Sequence, residues 1–67
     1  MVDYTKLWIL LASKHINKTQ LRLGAPFNTS TLAKLSKNEL VSLDILVRIC
    51  RFLQCDFKDI IEYKGVM

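Results

Sequence analysis

The sequence predicts an all-α domain built from five short helices. Three observations carry that expectation. Apolar residues recur at three- and four-residue spacing, and no segment longer than a few residues alternates with the period of a strand. Asn, Ser and Asp residues stand at the starts of successive apolar-periodic stretches, where they cap helices. The chain has 67 residues, 51% of them apolar, with two glycines and one proline. That is one domain, with too few turn residues for a β-sandwich and too much core material for a disordered tail.

The first helix is expected over residues 4–14, capped by Asp3, with Tyr4, Leu7, Trp8 and Leu11 on one arc. Ile9 points away from that arc. Asn17 opens a second, shorter helix, and Gln20 is placed to reach back to it in a capping box. Leu21 is its inward anchor, and Gly24 and Pro26 stop it. Asn28 caps a third helix over residues 29–36, with Leu32 and Leu35 as its apolar pair. The opposite face holds Ser30, Ala33, Lys34 and Lys37, with Thr29 at its leading edge. Residues 37–39 form a turn. Ser42 caps the fourth helix, whose inner face is read as Leu43, Leu46, Val47, Cys50 and Leu53. Ile45 and Phe52 then lie nearly opposite the core, and Asp44 pairs with Arg48 one turn on. Asp56 caps a last helix containing Phe57, Ile60 and Ile61 and ended by Gly65.

The charge is unevenly placed. The whole chain carries +4, yet residues 14–37 hold Lys14, Lys18, Arg22, Lys34 and Lys37 with no acidic residue among them. A basic stretch in an otherwise neutral chain suits a polyanion, or it is a solvated surface kept for solubility. The layout favours the first. A short helix, a tight turn and a helix that presents small, hydroxyl-bearing and cationic residues make a helix-turn-helix over about 17–37. A helix enters the major groove only if its outward residues are slender. Thr29 and Ser30 hydroxyls offer both donors and acceptors to base edges, Ala33 packs on a thymine methyl, and Lys34 donates to guanine. Helix starts carry unpaired N–H groups that favour phosphate. Lys18, in the first turn of its helix, opposes the dipole unless an anion is near.

Other chemistry finds little footing. The single histidine, His15, reads as a helix-end residue. Cys50 and Cys55 have neither the spacing of a metal pair nor that of a disulfide framework, and read as small buried hydrophobes. No nucleophile–base set, glycine-rich phosphate loop or paired metal ligands appear. The expectation is therefore no enzyme, no metal, no cofactor and no small-molecule substrate. No apolar run is long enough to span a bilayer and no signal peptide is evident, so the expected location is the cytoplasm.

The stretch NKTQLRLGAPFNTSTLAKLSKNELVSLDILVRICRFLQCDFKDI, preceded by DYTKLWILL, resembles the Cro/repressor-type (XRE family) helix-turn-helix regulators, in particular a compact bacterial and prophage subclass. The resemblance spans about residues 3–62. It implies a five-helix, lambda-repressor-like DNA-binding domain that acts in transcriptional control as a homodimer on double-stranded operator DNA. By position, Thr29, Ser30, Ala33 and Lys34 match the base-reading residues of the recognition helix. Lys18 at the start of the second helix, and Lys37 and Asn38 after the third, match phosphate-contacting positions, and the helix starts at Asn17 and Asn28 join them as phosphate sites through their unpaired N–H groups. Thr31 meets phosphate or packs inward, and Arg22 reaches phosphate or only solvent. Leu21, Leu32 and Leu35 match the core positions between the two helices.

Pro26 departs from the family pattern, because it stands where a turn glycine with positive φ is usual. Gly24 is the residue available to take a left-handed conformation instead. Ile9, Ile45 and Phe52 form the expected surface between two copies, unless the last helix and the tail, through Tyr63 and Val66, cover the latter two. The alternative function is a protein-interaction module of the same shape, antitoxin- or antirepressor-like, with little or no DNA binding.

Overall fold

The structure, a computed structural model, describes residues 1–65. It contains α1 (Thr5–Ser13), α2 (Lys18–Gly24), α3 (Thr29–Ser36), α4 (Leu43–Leu53) and a 3-10 turn over Phe57–Asp59. Four helices and a turn thus replace the five expected helices. After Ile60 the chain does not continue as a helix. Glu62–Tyr63 (β2) pairs antiparallel with Val2–Asp3 (β1), with Val2 opposite Tyr63 and Asp3 opposite Glu62. Lys64 N–H donates to the Met1 carbonyl at 2.8 Å, and the Lys64 ammonium lies 3.5 Å from Asp3. Gly65 therefore follows a strand and ends no helix, and Val66 lies outside the described residues.

The strand pair also shifts the start of α1. Asp3 lies in β1, although its carboxylate still accepts the Thr5 N–H at 2.7 Å. Hydrogen bonding from Thr5, first from its side chain and then from this N–H, holds the Asp3 carboxyl below the usual carboxylate value. Tyr4 is fully buried at the entry to α1. Its hydroxyl donates to the Glu39 carbonyl at 2.8 Å, and its N–H donates to the Asn38 side-chain oxygen at 3.0 Å. The two bonds tie the start of α1 to the turn after α3.

The core joins Tyr4, Leu7 and Leu11 to Leu21, Leu35, Leu46, Ile49, Leu53 and Ile60. The buried face of α4 is Leu46, Ile49 and Leu53, which recur at i, i+3 and i+7. This corrects the sequence-derived arc: Leu43 continues the period backward but sits in the first turn of the helix, past the edge of the domain, and is 67% exposed. Val47 is also exposed, whereas Ile45 is half-buried and packed against the core.

Among the described residues His15, Asn38 and Gln54 adopt positive φ, and each follows the end of a helix. Gly24 is not among them, contrary to expectation. What its missing side chain provides is space: a Cβ on Gly24 would stand 2.2 Å from the Phe52 ring. Phe52 lies over α2 and is 38% exposed rather than projecting freely. Pro26 fits because no left-handed residue is needed there. The chain turns through Ala25 at φ −105° and ψ 61°, and the Arg48 guanidinium, paired with Asp44 at 2.7 Å, donates to the Pro26 carbonyl at 2.6 Å.

Candidate nucleic-acid interface

Both helices of the expected pair start as their sequences require. The Asn17 side-chain oxygen accepts the Gln20 N–H at 2.7 Å, and the Gln20 side chain accepts the Asn17 N–H at 2.9 Å, a complete capping box. Asn28 caps α3 by accepting the Thr31 N–H at 2.9 Å. These bonds satisfy one orphan donor of α3 and leave the others of its first turn pointing outward.

α3 is held from one side. Leu35 is fully buried, and Leu32 and Thr31 are half-buried behind the helix. Thr29, Ser30, Ala33 and Lys34 are all exposed and lie together on the other side, with Lys37 beyond them. The two hydroxyls, the methyl and the ammonium group make a narrow strip with no large side chain in it. Among the described residues no ion pair engages Lys34 or Lys37, and residues 14–37 contain no acidic side chain to neutralise the surface.

The remaining site residues divide. Asn17, Lys18 and Asn28 are exposed at the two helix starts, and Arg22 is half-buried on α2. Lys18 is not a free cation. Its ammonium stands 4.4 Å from the centre of the Trp8 ring and donates weakly to the Ser36 hydroxyl at 3.5 Å. It thus bridges α1, α2 and the end of α3. Trp8 is half-buried with one face available to this cation, a role that its place on the core arc of α1 does not reveal. Asn38, grouped with the phosphate contacts by resemblance, spends its side-chain oxygen on Tyr4. Its backbone, in the left-handed conformation after α3, is what shapes the loop there.

Residues 6–65 match the family model of the Cro/C1-type helix-turn-helix DNA-binding domain. The chain belongs to that family. It is also similar to the transcriptional regulator VanUg, whose crystal structure superposes with a TM-score of 0.89 at 52% identity, over 91% of this chain and 81% of that one. No curated protein matches the chain. A DNA-binding family places the molecule among non-enzymes, in agreement with the reading from residues. Among the described residues, no helix is long and apolar enough to cross a membrane.

Proposed function

We propose that this chain is a single DNA-binding domain that reads duplex DNA sequence-specifically in transcriptional control. In this reading α3 enters the major groove with its N-terminal end foremost. Thr29, Ser30, Ala33 and Lys34 meet base edges, while α2 lies across the backbone. The observation that carries it is the one-sided attachment of α3: a buried Leu35 behind, and a slender, acid-free strip in front. Asn17, Lys18, Arg22, Asn28, Lys37 and the backbone of Asn38 border that strip and supply phosphate contacts from side chains and N–H groups, whereas Thr31 packs behind the helix.

The similarity to VanUg supports a role in regulating transcription, and such a role belongs in the bacterial cytoplasm. Two copies on paired half-sites, one helical turn or about 34 Å apart, are the arrangement we favour. Of the three residues considered for the contact between copies, Ile9 is 64% exposed, whereas Ile45 packs on the core and Phe52 on Gly24. Ile9→Lys is then expected to turn a dimer into a monomer in sedimentation. An unchanged mass removes this surface from the dimer.

Selection of bound duplexes from a random pool at two salt concentrations tests the function. The expected result is a recurring motif, repeated at a fixed spacing, with affinity that falls steeply as salt rises because released counterions drive binding. A pool that enriches no motif would overturn sequence reading and leave the protein-interaction module as the account of this surface.

A further inference from the structure

The end of α4 brings two thiols together. Gln54, at φ 54°, turns the chain back on itself, and the Cys55 N–H donates to the Cys50 carbonyl at 3.0 Å. That six-to-one bond marks a Schellman motif, in which the side chains of the two bonded positions commonly meet. In most helices the pair is simply apolar. Here it is Cys50 and Cys55, both free and both half-buried. They share a shallow hollow of about 290 Å³ walled by Val47, Arg51, Asp56 and Phe57. Among the described residues no group of three ligands surrounds them, so the site lacks the set that a bound metal ion needs.

We propose that Cys50 and Cys55 form a redox-active dithiol that closes to an intramolecular disulfide by exchange with a small-molecule disulfide of the glutathione type. One cysteine, as thiolate, attacks a sulfur of that disulfide, forms a mixed disulfide and expels one small thiolate. The other cysteine, as thiolate, then attacks the protein sulfur of the mixed disulfide. The Cys50–Cys55 bond forms and the second small thiolate leaves. The two protons of the cysteines end on the two released thiols. The protein loses two electrons and the small disulfide gains them.

Two features suit this chemistry, and a third sets its pace. The hollow gives the reagent a way to half-buried sulfurs. The capped helix end holds the second thiol beside the first, so the mixed disulfide is resolved within the molecule. Burial pushes the Cys50 thiol up to about 11, with Cys55, Asp56 and Asp59 adding to the effect. Burial raises Cys55 as well, with Asp59 and Asp56 adding to the shift and the Cys50 thiol and Lys14 opposing it. The resting pair is therefore protonated at neutral pH and reacts slowly, since the thiolate is the attacking species.

The test incubates the whole protein with oxidised glutathione, alkylates the remaining thiols and reads the intact mass. The expected wild-type product is a monomer that has lost two hydrogens and carries neither glutathione nor alkyl groups. Cys50→Ser and Cys55→Ser are each expected to retain one glutathione instead. A wild-type product with glutathione attached, with both thiols alkylated, or linked into dimers would overturn the proposal. The wild-type measurement decides it, so loss of folding in either variant leaves the result intact.

Discussion

α2 and α3 begin alike and are held differently. Each is started by an asparagine whose side-chain oxygen takes the N–H three residues on, and each buries one leucine fully, Leu21 or Leu35. From there α2 gains side-chain contacts with its neighbours at both ends. Gly24 lies under the Phe52 ring, Arg22 is half-buried, and Lys18 is engaged by Trp8 and Ser36. α3 has no such cover over Thr29, Ser30, Ala33 and Lys34. The difference separates two tasks. A helix tied to its neighbours through its end residues sets position, and a helix fixed only from behind has a free face to spend on recognition. That division gives each helix its own signature under mutation.

The largest effect is expected where α3 is attached. Leu35→Ala removes a fully buried side chain from the junction of α3 with the core. It should cost about 2–5 kcal/mol of stability, read from urea unfolding. A loss below about 1 kcal/mol would mean that α3 is not held by this residue, and the contrast with α2 would fail. Next comes the free face itself. Lys34→Ala should weaken binding to the selected duplex by about 1–3 kcal/mol and relax preference at one base pair, with stability unchanged. Uniform weakening on every sequence would move Lys34 from the reading face to the phosphate-binding rim.

Gly24→Ala probes the contact between α2 and the Phe52 ring of α4. The added Cβ meets the far edge of the Phe52 ring at 2.2 Å. The ring is partly exposed and has somewhere to swing, so the expected cost is about 1–2 kcal/mol, at the lower end for an overpacked site. Pairing it with Phe52→Ala should recover the added penalty in a double-mutant cycle, since the clash is then gone. Strictly additive losses would show that the ring does not seat on α2.

What could be read from the sequence follows the reach of each interaction. The caps at Asn17, Asn28, Ser42 and Asp56 all appear where expected, because a cap is made by residues one to three positions apart. The outward strip of α3 was legible for the same reason: a single helical period sorts Leu32 and Leu35 from Ala33 and Lys34. Leu43 misled because periodicity gives direction around a helix and says nothing of how far along it the core extends. The β1–β2 pair was invisible, since two residues cannot display an alternation and their partners lie about sixty positions away. Asn38 and Lys18 were legible as polar residues in suggestive places. That one holds the Tyr4 N–H and the other sits on Trp8 depends on how α1 crosses the helix pair, which no local pattern encodes.

Lys18 offers the smallest and most discriminating effect. In the free protein its ammonium already has two partners, the Trp8 face and the Ser36 hydroxyl, both weaker than a phosphate. A duplex that takes this cation must draw it off the indole, so part of the gain from the new contact is offset by the loss of the old one. Lys18→Ala is therefore expected to weaken all duplexes alike, by less than about 1 kcal/mol, while lowering the salt slope by about one. Trp8 fluorescence should shift on DNA binding in the wild type and stay nearly constant in the variant. If the salt slope is unchanged and the fluorescence does not respond, Lys18 remains on Trp8 in the complex. In that case α2 positions the domain through its backbone N–H groups and not through its charge.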